Sequence, residues 1–532
     1  MKNEMKMKQR TLPVLLLAIL LFSFVTTPTG AATPVPAVTG PVPVTATSVP
    51  FMSVSRLVTP TNLAKVGYVE EEYFLSGTAN VYDWKEDGSV AILGNGPYTN
   101  RILVRKPVTP AKASGTVVVE LLNASNGYDA SSAWAALGDL TISRGDVWIG
   151  ITIKPFTVVA LKRYNPARYA PLSWASPRPM PEGCKLTPDY SADTEEGLIW
   201  DMLSQLGALL KSKDAKNPLA KYGVKYLYMT GVSQSGMNIL TYINAGFHDK
   251  ATLDTGKPLY DGYLIDTGHG RIKPINQCAP SPPLGTPRAA FRGPVPLIII
   301  AAQSDFNAFD ALKNRRPDND VTGDQFRLYE VTGSTHSQLD REPFASTQQD
   351  ITLALGRPAP PAGYVGVEQP PNDFSRKYIV RAAYVNLDQW VRKGIPAPKA
   401  ERIEVTNPTV PEPGMFPPRF GTAVVDIFGN AKGGVRSPAV DVPTATYMSW
   451  CTVADTKAPS GTSSAPTGPT KNWLLGFKVP FTNDQLKGLY QTHDKYVKRV
   501  GESVDKFVKD RWLLPADGRK IKDEAAKSNI LR

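Results

Sequence analysis

Three residues in this chain have the types and the order needed for nucleophilic acyl chemistry: Ser233 in "YMTGVSQSGMN", Asp305 in "IIIAAQSDF" and His336 in "YEVTGSTHSQ". A serine hydroxyl is a weak nucleophile until a base removes its proton, and an imidazole does so best when a carboxylate fixes its tautomer and stabilises its cation. Serine, acid and histidine occur here in the chain order used by α/β-hydrolase sites. The chain holds only four histidines, so the search for a base is short. His248 stands near the end of the helix expected after Ser233 and is carried away from it. His493 reads as a surface position in a terminal helix. His269, in "DTGHGR", follows a strand and is placed at the site rim as a substrate contact. His336 follows the last strand-like segment and is the expected base.

These residues need elements to position them. "KYLYM" reads as a strand and "SGMNILTYIN" as a helix, so Ser233 falls on a sharp strand-to-helix turn, with Gly231 and Ser235 where larger side chains would clash. Ser235 is a rival serine, but it reads better as the small residue the turn requires. Such a turn lifts the hydroxyl above the carboxyl ends of the strands, where open α/β sheets bind ligands. The N–H of Gln234 then faces a developing oxyanion, and a second donor is expected from the loop "LLNASNGYD", at Asn123 or Ala124. "VPLIIIAAQ" is a buried strand that delivers Asp305 at its carboxyl end, although Asp310, Asp318 and Asp320 in the following loop compete for the same role.

Along the rest of the chain, "EEYFLSGTANVY", "RILVRKP", "GTVVVELLN", "VWIGITIKP", "YDGYLID" and "FRLYEVTG" read as strands. They are interleaved with helical patterns at 131–145, 193–212 and 375–394. Strands alternating with helices predict an α/β-hydrolase fold, with a mostly parallel central sheet covered on both faces. The core is expected over residues 51–396, a loop-rich covering region over 397–480 with a mobile patch at "APSGTSSAPTGPT", and a helical segment packed on the core over 481–532. Within the covering region, Arg436 in "GGVRSPAVDVP" is a candidate contact for an acidic substrate group.

The first residues, "MKNEMKMKQR", precede the apolar run "LPVLLLAILLFSFV", which is short for a membrane span and is followed by small residues. This layout predicts a cleavable signal peptide over 1–32 and an exported or periplasmic protein without stable membrane insertion, and the composition of 33–50 predicts a Pro/Thr-rich linker or extended arm, with order beginning near Phe51. The net charge is +12; four basic residues against one acid give the leader +3, leaving about +9 for the remainder. No dense basic stripe interleaved with aromatics accompanies that charge, which argues against nucleic acid as a partner. Three cysteines, Cys184, Cys278 and Cys451, allow one disulfide and one thiol without fixing the pair. No His/Cys cluster has metal-ligand spacing, so no metal or other cofactor is expected. Oligomeric state leaves no signature.

Several of these blocks, "EEYFLSGTANVY", "PYTNRILVRKP", "GTVVVELLNASNGYD", "GVSQSGMNILTYIN", "YDGYL", "FRLYEVTGSTH" and "GNAKGGVRSPAVDVPTATY", resemble the bacterial proteins described as alpha/beta hydrolase domain-containing proteins. The resemblance extends over about residues 65–450 and, more weakly, over the helical end. It implies an α/β-hydrolase fold, a nucleophile at Ser233 in the Ser-Gln-Ser block and a histidine at His336. The chain departs from the pattern at Gly236, where alanine is usual, and at "AAQSDF", where an acidic pair is common. The expected activity is hydrolysis of carboxylic esters through an acyl-enzyme on Ser233. Amide cleavage or acyl transfer by the same triad is the alternative, and a non-catalytic ligand-binding protein is a third reading.

Overall fold

The computed structural model describes residues 32–532, apart from 254, 270, 283–285, 287–290, 308–310, 314, 361–367, 369, 412–419 and 454–469. The expected signal peptide, Asp310 and most of the patch at 458–470 therefore lie outside the described residues.

Nine strands form one sheet: β1 (Ala37–Thr39), β2 (Tyr68–Trp84), β3 (Val90–Pro107), β4 (Thr116–Leu121), β5 (Val147–Ile151), β6 (Tyr226–Val232), β7 (Gly262–Asp266), β8 (Leu297–Ala302) and β9 (Phe326–Val331). Their spatial order is β1-β2-β3-β5-β4-β6-β7-β8-β9. β1, β2, β3 and β5 pair antiparallel in succession, whereas every pair from β5 across to β9 is parallel. Every residue of β4, β5, β7, β8 and β9 is buried, as parallel strands covered on both faces require. That double burial explains the unbroken apolar sequences of β5 and β8. Helices at Ser132–Arg144, Ile199–Lys211, Gln234–Asn244 and Lys377–Lys393 supply the cover. All the parallel strands end on one edge, and the loops leaving that edge carry Asn123, Ser233, Asp305 and His336.

The proline-rich arm before Phe51 differs from the expected linker. β1 pairs with β2, the N–H of Val42 donates to the carbonyl of Glu72, and Arg168 donates to the carbonyls of Pro43 and Ser48. Prolines suit this position because an edge strand has one row of backbone groups that needs no partner.

The covering region continues the outer edge of the sheet. Val435 makes a parallel bridge to Val331, and the guanidinium of Arg402 holds Asp318. The helical end is broken into Asn483–Tyr490, His493–Lys509 and Pro515–Lys527, with Gln491 at φ 66° between the first two. Leu486, Tyr490, Val500, Val504 and Phe507 on its apolar face are buried against the core. No helix among the described residues is long and apolar enough to cross a membrane.

Candidate active site

β6 ends at Val232, and Ser233 caps the following helix with φ 56° and ψ −120°. A non-glycine residue in that region costs about 1–3 kcal/mol and persists only where its surroundings hold it. Here they do. The N–H of Ser233 donates to the carbonyl of Asp266 at 2.8 Å, and its own carbonyl accepts from Met237 at 3.1 Å. The hydroxyl of Ser235, fully buried, accepts from the N–H of Val232 at 2.9 Å and donates to that residue's carbonyl at 3.0 Å. Ser235 thus fastens the turn as well as being small.

The turn is also sterically closed. A Cβ on Gly231 would lie 2.8 Å from the nitrogen of Gly236, and one on Gly236 would lie 2.6 Å from the Cγ2 of Ile265. The departure from the family alanine at Gly236 is therefore matched to this chain's own packing.

His336 follows β9 on a loop and Asp305 follows β8 in a single 3-10 turn. The Nε2 of His336 lies 2.9 Å from the Oγ of Ser233, and its Nδ1 lies 2.9 and 3.1 Å from the two carboxylate oxygens of Asp305. An ionised carboxylate only accepts, so Nδ1 carries the proton and Nε2 is left to accept from the serine hydroxyl. Asp305 is 2 % exposed and His336 8 %, which keeps the interaction largely out of water. The arrangement can take a proton from Ser233 while stabilising the imidazolium formed. The rival carboxylates are committed elsewhere: Asp318 to Arg402 and Asp320 to Arg327 and Lys399.

The other candidates fare differently. The N–H of Asn123 donates to the carbonyl of Ala130 at 2.9 Å and is spent there, so it is not an oxyanion donor. Its side chain instead bridges two loops, with Nδ2 donating to the carbonyl of Val232 at 2.8 Å and Oδ1 accepting from Ser125 at 2.9 Å. The N–H groups of Ala124 and Gln234 remain the candidate pair, Gln234 being the first residue of the helix after Ser233. His269, expected at the rim, is an interior residue at 2 % exposure.

Arg436 is committed to Asp441 at 3.0 Å, to Asp426 at 2.9 Å and to the carbonyls of Ala431 and Val440. It serves the covering region's own structure rather than presenting a free guanidinium. His248 is buried with Nδ1 2.8 Å from the hydroxyl of Tyr263, and the ring of His493 faces the carbonyls of Ile530 and Ala526.

Three neighbours were invisible in the sequence pattern. Trp473, from the covering region, meets the imidazole of His336 edge to face, with ring centroids 4.7 Å apart and planes at 74°. The N–H of Ser337 donates to the carbonyl of Leu474 beside it. Asp266 and Arg376 lie behind the turn, joined at 2.8 Å. A charged residue closing the apolar strand "GYLID", and an arginine at a helix start where the macrodipole disfavours it, were the available signals.

Two surface hollows, of about 460 and 570 Å³, are lined around Arg315 and Arg402 and around Pro41 and Arg168, away from these residues. Among the described residues no group of three or more His, Cys, Asp and Glu side chains forms a metal site. The disulfide joins Cys184 to Cys278, leaving Cys451 as a buried thiol.

No curated protein matches this chain in sequence. Similar solved structures include a serine hydrolase without a lid from Xanthomonas campestris, at 10 % identity over 54 % of this chain and 97 % of that one, TM-score 0.24. An esterase of Pyrobaculum calidifontis aligns at 11 % identity over 53 % and 86 %, TM-score 0.26. A carboxylesterase from a metagenomic library aligns at 12 % over 53 % and 87 %, TM-score 0.26. At such identities and scores these likenesses assign no activity. The family model described as an alpha/beta hydrolase domain matches residues 38–523, nearly the whole described chain with its nine-stranded sheet, and the protein belongs to that family.

Proposed function

We propose that this α/β hydrolase is an exported serine hydrolase that cleaves carboxylic esters through an acyl-enzyme on Ser233. The observation that carries the reading is the continuous relay from Ser233 Oγ through His336 to Asp305, at 2.9 Å for each link. Ser233 attacks the ester carbonyl as His336 Nε2 takes its proton, and the N–H groups of Gln234 and Ala124 receive the oxyanion. Collapse of the tetrahedral intermediate expels the alcohol, which leaves with the proton from His336. Water then adds by the same route in reverse, its proton passing through His336, and the acid departs as Ser233 is restored.

Esters are the substrate class that asks least of this relay, because an alkoxide leaves more readily than an amide nitrogen. Export is supported by the Cys184–Cys278 disulfide, which persists in oxidising compartments. Incubation with a panel of esters graded by acyl length, with amine and alcohol acceptors present, tests the reaction class. Free acid as the main product is the expected outcome. Amide or new ester as the main product would assign acyl transfer, and a folded protein that turns over no member of the panel would end the hydrolase reading.

A further inference from the structure

Behind the turn that holds Ser233 lies a charged pair that the relay itself does not use. β7 is apolar until its last residue, Asp266, whose side chain is 5 % exposed. A buried charge of this kind is retained only where it is paired and hydrogen-bonded. Arg376 supplies the pairing: Nε donates to Oδ1 at 2.8 Å and Nη2 approaches Oδ2 at 3.3 Å. Arg341 Nη2 adds a bond to Oδ2 at 2.5 Å.

Arg376 is fully buried at the N-terminal cap of the helix Lys377–Lys393. A cation there opposes the helix dipole, so the helix gains nothing from it. Its remaining N–H groups point to the histidine loop, with Nη1 donating to the carbonyl of Thr335 at 2.5 Å and Nη2 to that of His336 at 3.2 Å. At the other end, the main-chain carbonyl of Asp266 accepts the N–H of Ser233 at 2.8 Å. Residue 266 therefore grips the backbone of the serine directly and the backbone of the histidine through one guanidinium. Only a planar fork of five donors can serve two carboxylate oxygens and two carbonyls together; an ammonium cannot.

We propose that Asp266 and Arg376 are positioning residues, a strut that sets the distance between Ser233 Oγ and His336 Nε2. The proposal rests on the reading of Ser233 as nucleophile. Neither side chain hydrogen-bonds to Ser233 Oγ or the imidazole, so loosening the strut should act on the chemical step and leave substrate binding intact. Misplacement of a reacting group by about 1 Å costs on the order of 100-fold in rate.

The test uses the full chain, with kcat and KM for a p-nitrophenyl ester and the rate of fluorophosphonate labelling measured well below each variant's Tm. Asp266→Asn and Arg376→Lys are each expected to lower kcat and the labelling rate about 100-fold, with KM within about twofold. Because the two act as one unit, Asp266→Asn combined with Arg376→Lys should be no slower than either single variant.

The control is Glu70→Gln with Arg105→Gln, which removes a second, part-buried pair, 2.8 Å apart, that bonds neither Ser233 nor the His336 loop. It should lower Tm and leave kcat within about twofold. Folded Asp266→Asn or Arg376→Lys proteins that keep wild-type kcat, or a control pair that loses as much, would overturn the proposal. Should both variants be recovered unfolded, Arg341→Gln loosens Asp266 from its more exposed side, and an unchanged kcat there overturns it equally. A wild type that is not labelled at Ser233 overturns the hydrolase reading and this proposal together. A labelled wild type whose variants label equally fast overturns the proposal alone.

Discussion

Trp473 stands edge-on to His336, its ring centroid 4.7 Å from that of the imidazole, although 137 residues separate the two in the chain. Contacts of this geometry contribute about 0.5–1.5 kcal/mol beyond the area they bury. Here the contact closes one side of the histidine and limits its swing away from Ser233. Trp473→Ala is expected to lower the fluorophosphonate labelling rate about tenfold, in line with that energy. Trp473→Phe, which keeps an aromatic edge, should recover most of the rate. Stopped-time labelling with intact mass readout measures both.

Gly236 offers a test of local packing. An alanine methyl would sit 2.6 Å from the Cγ2 of Ile265 and 3.2 Å from the Cα of Gly268, both part of or next to β7. Overpacking of this kind costs about 1–3 kcal/mol. Gly236→Ala should therefore lower stability by that amount in urea unfolding. Ile265→Val does not remove the offending methyl in every rotamer, but Ile265→Ala does, and the double variant should show no further loss from the alanine at 236.

His248 gives the stability curve an acid limb. Burial pushes its imidazole down from 6.5 to about 4, and its Nδ1 lies 2.8 Å from the hydroxyl of Tyr263. The unfolded chain therefore binds a proton in a range where the folded chain does not. Stability is full above about pH 6.5, falls as pH drops toward 4 and changes no further from this residue below that, a loss on the order of 3 kcal/mol. Thermal unfolding from pH 7.5 to 4 should show a shallower decline for His248→Gln than for the wild type.

The cysteines predict a simple thiol count. Cys451 is fully buried and its thiol is pushed up to about 12, by burial first and by the charge of Glu368 second. The native protein should give no reaction with a thiol reagent at pH 8. The unfolded, unreduced protein should give one equivalent and the unfolded, reduced protein three.

Much of this was legible in the sequence. Ser233, Asp305 and His336 each follow a strand-like segment, and a strand that ends at the sheet's carboxyl edge delivers the residues after it to the site. Their convergence follows from strand order alone. Asn123 escaped correct reading because backbone donors leave no trace in residue identity, and the same loop that carries its N–H also offers it an acceptor at Ala130. Arg436 and His269 looked functional as isolated charged or titratable residues, yet the partners that engage Arg436, Asp426 and Asp441, lie within ten residues of it in a segment with no periodicity to place them. Trp473 reaches His336 from such a segment too. The proline-rich arm was misread because an edge strand needs only one row of backbone groups, a demand that composition does not reveal.

Ser233 is proposed as the nucleophile, raised to that role by His336 and Asp305. A fluorophosphonate probe, incubated with the full chain and followed by peptide mapping, tests it most directly. The expected result is one adduct per chain, on Ser233, absent in Ser233→Ala and slowed at least about 100-fold in His336→Ala. An adduct on Ser235 or elsewhere, or a folded wild type that remains unlabelled while hydrolysing esters, would contradict it.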